Sequence, residues 1–350
     1  MAEGVRLYVG THEGMFVYRS TNAGWEPVNQ ALISGIVDTM VGSIRRPERV
    51  YAGVAHDGIY RTDDGGLHWN KILAGDVRAV ALDASEDTVY AGFEPVGLFR
   101  SEDGGDTWEE ISSIFALPEA VQKRWWSPRT GIGHIRHIFV HPDDDRVLYL
   151  GMEHGGVHRS LDRGASWEDV TTGIDYVDMH MVAALPNSST RYYCSSAQGF
   201  FASDDPNDGW TRAENGFTRN YFHDFVFLPP KAEGALPTML IGTADESPKA
   251  WRRPERARAA IFRSDDGAES WRRVGVGAGL AEEITDMIST LVTHPLNPDA
   301  VFTGLGEVSR GHAHGEAGPG RVLLSHDRGE SWADLKLEIP ADRVLWAAAE

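Results

Sequence analysis

The chain has 350 residues, 41% of them hydrophobic and 10% aromatic, enough apolar side chain for a sizeable folded core. Its formal charge of −19 at pH 7 argues against a nucleic-acid groove or an anionic membrane surface as partner. The lone Cys194 excludes an internal disulfide framework and suits a reducing compartment.

No apolar run approaches the roughly 20 residues of a membrane span, and "MAEGVRLYVG" has no basic-then-apolar leader. The expectation is a soluble, cytoplasmic, monomeric protein. In chain order, "RLYVG" (Arg6–Gly10) reads as a strand and runs on to a shortened turn motif, "STNAGW" (Ser20–Trp25). Next come "VGSIRRP" from Val41, "VYAG" from Val50 and "GIYR" from Gly58, closing on "TDDGGLHW" (Thr62–Trp69). The cycle repeats as "RAVALDA" from Arg78, "VYAG" from Val89, "GLFR" from Gly97 and "SEDGGDTW" (Ser101–Trp108).

After a long connection, "RHIFVHP" from Arg136 and "VLYLG" from Val147 lead to "SLDRGASW" (Ser160–Trp167). "HMVAALP" from His180 and "RYYCSS" from Arg191 precede "SDDPNDGW" (Ser203–Trp210), with its Gly displaced. "HDFVFLP" from His223 and "MLIG" from Met239 precede "SDDGAESW" (Ser264–Trp271), with Ala268 in the Gly position. "STLVTHP" from Ser289 and "VFTG" from Val301 precede "SHDRGESW" (Ser325–Trp332), and "RVLWAAA" from Arg343 ends the chain.

Short β-branched and aromatic runs bounded by turn residues, without helical periodicity, are strands. Self-similarity at about 40 residues selects a propeller among all-β folds. Seven units predict one all-β domain over residues 1–350, a seven-bladed β-propeller whose C-terminal strand closes the first blade. The Ser/Thr-x-Asp-x-Gly-x-x-Trp turn resembles the BNR, or Asp-box, repeat family over essentially the whole chain. That family includes sialidases, xyloglucan-cleaving glycosidases, sortilin-like receptors and a photosystem II assembly factor. The resemblance also covers bacterial proteins of unknown role that share His134-x-Arg136 and "EHGGV" (Glu153–Val157) in blade four.

The resemblance implies a structural box: its Asp accepts turn amides, its Gly takes positive φ and its Trp seals the blade. A sialidase would need an Arg triad and a Phe/Tyr-Arg-Ile-Pro signature, but Tyr18–Arg19 runs on into "ST". Xyloglucan-cleaving relatives clamp a polymer with two propellers, and this chain has length for one.

Three insertions of about 20 residues, Phe115–Gly133, Thr243–Ala260 and Leu305–Gly320, are expected on the face opposite the boxes, where function resides. Aligned by their terminal Pro or its equivalent, the inner strands place Val41, Arg78, Arg136, His180, His223, Ser289 and Arg343 in a ring at the channel mouth. Two residues earlier stand Thr39, Asp76, His134, Asp178, Tyr221, Met287 and Ala341. Polarity concentrates in blades three to six.

His134, His180 and His223 with Glu153 or Asp178 would ligate Zn, Mn or Fe, able to activate water or polarise a carbonyl. The bland alternative is a hydrogen-bonded, water-filled channel. A metal-free site would use His180, Asp178 and Tyr221 as acid and base. Arg78 and Arg136 would grip an anionic group with Glu94 nearby, or pair with Asp76 and Glu94 instead.

Trp125 and Trp126 would stack on a carbohydrate-like ligand or pack their loop onto the blade. His312 and His314 have metal-friendly spacing in a Gly-rich loop, and His141, His294 and His326 read as structural. The leading expectation is a metal-assisted hydrolase or lyase acting on a small polar or anionic molecule, and not a true sialidase. The other is a non-enzymatic binding or assembly propeller.

Overall fold

The computed structural model describes residues 4–349 except 34, 128–129, 187, 189, 248–256, 307–319 and 341. The strands form seven four-stranded antiparallel sheets arranged as a propeller. In six blades the strands follow chain order across the sheet. In the first, Asp342–Ala349 is the inner strand and pairs with Val5–Thr11, closing the ring with one strand from each end of the chain. Closure of this kind leaves no inner edge to recruit foreign strands.

The second strand of each blade is where apolar residues run without alternation. Val50–Val54 and Val89–Phe93 are buried at every position because a neighbouring blade covers each face. The glycine in these runs has a packing role. A Cβ on Gly92 would stand 2.7 Å from Cβ of Ile135, on the inner strand of the next blade. One on Gly53 would meet Thr39 Cγ2 at 2.5 Å and Val77 Cγ1 at 3.1 Å. Glycine lets adjacent blades close on one another.

The box turns are built as expected. Ser101 Oγ donates to Asp103 Oδ1 at 2.7 Å and accepts the Gly105 N–H at 2.7 Å. Asp103 also accepts the Thr107 N–H and hydroxyl, at 2.8 and 2.6 Å. Trp108 Nε1–H donates to the Gly105 carbonyl at 3.0 Å, and Gly104 and Gly105 have φ of +70° and +99°. Neighbouring blades are stitched at this rim by buried tyrosines: Tyr51 hydroxyl donates to the Gly104 carbonyl at 2.9 Å.

Each box follows the third strand, whereas the turn between second and third strands precedes it, so the two lie at opposite ends of the blade. Among the described residues, helix is found only at and just before the first insertion: a 3-10 turn at Ser112–Ala116 and one α-turn at Glu119–Gln122. Ile114, Leu117 and Val121 pack there with Ile135 and Met152, anchoring the insertion to blade four. Among the described residues no helix is long and apolar enough to cross a membrane.

Candidate functional site at the channel mouth

A shared irregularity aims side chains into the channel. Each inner strand carries one extra residue relative to its partner. Pairing skips Asp38 between Val37 and Thr39, Arg78 between Val77 and Ala79, Arg136 between Ile135 and His137, and His180 between Met179 and Met181. His223 and Asp224 together face a single partner residue, and the shift recurs between Ile288 and Thr290 and between Gly10 and Thr11 of blade one. A bulge bends its strand and re-aims the extra residue. In backbone register the bulges follow the expected ring, with one correction: blade two contributes Asp38, not Val41. Aligning by Pro47 misplaces that strand by three residues, because the turn Ser43–Arg49 carries its proline later than the other blades do; the equivalent closing bond is Ser43 N–H to the Arg49 carbonyl.

Backbone bonds bring the end of the second strand alongside the start of the inner strand of its own blade. Glu94 N–H donates to the Asp76 carbonyl and Glu153 N–H to that of His134, while Ala197 N–H reaches Asp178 O. Acid–base contacts then cross the blade boundaries. His56 Nδ1 lies 2.7 Å from Asp76 Oδ2, and His134 Nδ1 is 3.1 Å from Glu94 Oε2. Within blade four His134 Nε2 is 2.8 Å from Glu153 Oε2, and across the next boundary His154 Nε2 is 3.5 Å from Asp178 Oδ2.

Arg78 is spent on structure. Its guanidinium touches Asp38, Asp76 and Glu94, each at 2.9 Å, with its side chain 2% exposed. The expected ligand-gripping role of Arg78 and Glu94 gives way to this buried cluster, since three carboxylates occupy the donors a ligand would need. Burial alone would raise the Glu94 carboxyl, but His134 and Arg78 hold it down at about 2.

Arg136 stands in a different state. Its Nη2 donates toward His223 Nε2 at 3.4 Å, and no carboxylate of the described residues lies within 4.0 Å of it. Because Nε2 of His223 accepts there, the ring proton sits on Nδ1, 3.3 Å from Asp224 Oδ1.

His180 Nδ1 donates to the Phe222 carbonyl at 2.6 Å, leaving Nε2 as acceptor, 3.4 Å from the Tyr221 hydroxyl and 4.0 Å from Asp178 Oδ1. Burial, then His223 and Arg136, lower His180 to about 3, so the ring is neutral at pH 7. Burial and the Asp178 charge keep Tyr221 protonated well beyond the ordinary phenol range.

The expected metal set does not assemble. His180 and His223 adjoin, with ring centroids 5.1 Å apart. His134 instead has one nitrogen against each of two carboxylates, 3.1 Å from Glu94 Oε2 and 2.8 Å from Glu153 Oε2. Among the described residues, Glu153, His154 and Asp178 are the three whose donor atoms lie within 4.8 Å of one another. Ligands at ~2.2 Å on a tetrahedral cation stand about 3.6 Å apart, close to the 3.5 Å between His154 Nε2 and Asp178 Oδ2.

Their side chains are 16–20% exposed, open enough for entry and fixed by their neighbours. Glu153 Oε1 accepts from the buried Ser127 hydroxyl at 2.9 Å. Burial would raise Glu153, but His134, Arg136 and Ser127 keep it ionised far below the usual range. The Asp178 carboxyl is pushed up to about 6 by burial and by the Glu153 charge.

The tryptophan pair divides. Trp125 Nε1–H donates to His158 Nε2 at 3.1 Å, and its ring packs on Phe115, which corrects its expected contact with ligand. Trp126 is 48% exposed and sets its edge against His154, ring centroids 5.6 Å apart, with Tyr176 on His154 at 6.0 Å. Sequence reasoning missed Asp38, Ser127 and the role of His154. A period count from the strand ends, independent of proline, would have found Asp38. Nothing local marks Ser127. His312 and His314 lie outside the described residues, as does half of the second insertion.

No family model matches the sequence, and no curated protein matches it. Among solved structures, the chain is similar to the GH74 xyloglucanase from Xanthomonas campestris, at 18% identity and TM-score 0.60 over 86% of this chain and 45% of that one. It is also similar to YCF48 bound to D1 peptide, at 17% identity and TM-score 0.53 over 85% and 81% of the two chains. A functionally unknown protein from Desulfotomaculum acetoxidans DSM 771 matches at 10% identity and TM-score 0.60 over 99% of both. The chain spans about half the length of the GH74 structures it matches. At these identities the likeness establishes the seven-bladed propeller and nothing finer.

Proposed function

We propose that the chain is a metal-assisted hydrolase or lyase acting on a small polar molecule at the channel mouth, with Zn, Mn or Fe held by Glu153, His154 and Asp178. The observation that carries this reading is the convergence of those three donor groups within 4.8 Å. The charge around them favours a cation. Asp38, Asp76, Glu94, Glu153, Asp178 and Asp224 face the mouth, against the guanidinium groups of Arg78 and Arg136. Carboxylate and imidazole suit these metals, and a bound cation would activate water or polarise a substrate oxygen. His180, neutral with Nε2 as its accepting nitrogen, and Tyr221, a protonated donor 3.4 Å from that nitrogen, would handle a proton next to the cation.

Descent from Asp-box repeat proteins is supported by the bonding shared among the turns. Ser160, Ser264 and Ser325 bond Asp162, Asp266 and Asp327 as Ser101 bonds Asp103. A non-enzymatic binding or assembly role is the second reading. It is favoured by length, because this chain covers 81% of YCF48 but 45% of the xyloglucanase.

The test is elemental analysis of protein purified without an affinity tag, followed by Mn2+ and Zn2+ titration of the stripped protein. Asp178→Asn and His154→Gln are expected to abolish binding while the metal-free melting temperature stays near that of the parent. Binding that survives both substitutions, or no binding by the parent, refutes the metal reading and leaves the binding propeller.

A further inference from the structure

We propose that the molecule bound at this mouth is a small monocarboxylate, its anionic group gripped by Arg136 beside His223 and its reacting polar group turned toward Glu153, His154 and Asp178. The placement of the reacting group rests on the metal-assisted reading. The grip of Arg136 does not.

The argument starts from two arginines at the same bulge position in adjacent blades. A guanidinium offers five donors in a planar fork that matches a carboxylate with two parallel bonds. Arg78 satisfies that fork within the protein, with three carboxylate contacts at 2.9 Å. Among the described residues, Arg136 has only the 3.4 Å contact to His223 Nε2. Partly buried charges are ordinarily paired, and this one lacks the oxyanion its neighbour has.

Next, the arginine and the candidate cation ligands are ends of one side-chain cluster. Asp178 Oδ1 lies 4.0 Å from His180 Nε2, the His180 and His223 rings are 5.1 Å apart, and His223 meets Arg136 at 3.4 Å. A molecule of a few heavy atoms reaches across two imidazole rings. Tyr221, whose hydroxyl lies 3.4 Å from His180 Nε2, would donate to a hydroxyl or carbonyl oxygen between the two ends.

Charge then selects among anions. Glu153, Asp224 and Asp38 act on Arg136 through space and stabilise its charge. That surrounding negative field penalises each added charge, so a singly charged carboxylate is accommodated where a phosphate dianion is repelled.

The experiment uses the full chain, stripped of metal, at pH 7. Acetate, glycolate, pyruvate and glucuronate are titrated by calorimetry and thermal shift beside the neutral acetamide and glycolamide. Arg136→Gln and Arg136→Lys are then compared with the parent. At least one carboxylate is expected to bind where its amide does not, roughly tenfold or more weaker in Arg136→Gln, with partial recovery in Arg136→Lys.

Mn2+ is titrated separately into each protein. Arg136→Gln should bind it at least as tightly as the parent, since a nearby positive charge is gone. Failure of all four carboxylates, equal binding of the amides, or full carboxylate affinity in a folded Arg136→Gln overturns the proposal. Carboxylate binding through Arg136 without any Mn2+ binding would sink the metal reading alone.

Discussion

Replacing Arg78 by methionine tests whether the mouth is built on a buried charge cluster. Arg78 and Glu94 have side chains 2% and 5% exposed, and Asp38 is 2% exposed. Methionine keeps the length of the stem but leaves three carboxylates facing one another without a cation. Removing one partner of a buried ion pair costs about 3–5 kcal/mol, because the remaining charge is stranded. Unfolding entropy near 2.1 cal/mol/K per residue gives roughly 0.7 kcal/mol/K for a chain of this size, so the melting temperature should fall by ~4–7 °C.

The assay is thermal unfolding by circular dichroism at pH 7 and pH 4.5. Without Arg78 the clustered carboxyl groups take up protons more readily, so the gap between variant and parent should narrow at the lower pH. A second variant, Arg78→Met with Glu94→Gln, should recover part of the loss by removing one stranded charge. An Arg78→Met protein that melts within ~1 °C of the parent at pH 7 would refute the reasoning and mean that solvent screens the cluster.

Two further outcomes follow from the same contacts. Ser101→Ala removes the acceptor of the buried Gly105 N–H and should cost about 1–3 kcal/mol in chemical denaturation; because the box lies at the far rim, Mn2+ titration should be unchanged. Glu94 is held at about 2 in the fold against an ordinary 4.5, so its contribution is present above pH 4.5 and is lost as pH falls toward 2. Urea midpoints from pH 5 to pH 2 should therefore fall less steeply in Glu94→Gln than in the parent, and parallel curves would count against the assignment.

The box turns and the blade number were legible because each rests on bonds between residues a few positions apart. Ser101, Asp103, Gly105, Thr107 and Trp108 complete their own geometry, so the motif survives in a linear reading. The inner ring was legible in six blades, where a terminal Pro or its equivalent follows the bulge at constant distance. It failed at Asp38 because Pro47 sits in a longer turn. The metal set failed for a different reason. His134, His180 and His223 look alike in sequence, yet one faces two carboxylates, one a backbone carbonyl and one an arginine.

By itself the sequence determined the architecture: seven repeats of strand, turn and box, a glycine near the end of the second strand in six of them, and a polar arc over blades three to six. Such features recur with the period of the chain and arise from local bonding and continuous burial. Tertiary structure alone decided the state of each polar group in that arc. Arg78 meets Asp38 across 40 positions of chain and His134 meets Glu94 across a blade boundary, whereas Arg136 is left with an imidazole. Ser127 reaches Glu153 only because the insertion before it is anchored by Ile114, Leu117 and Val121. Charges pair through space, with whatever the fold sets opposite them, and that partner carries no mark in the linear order of residues.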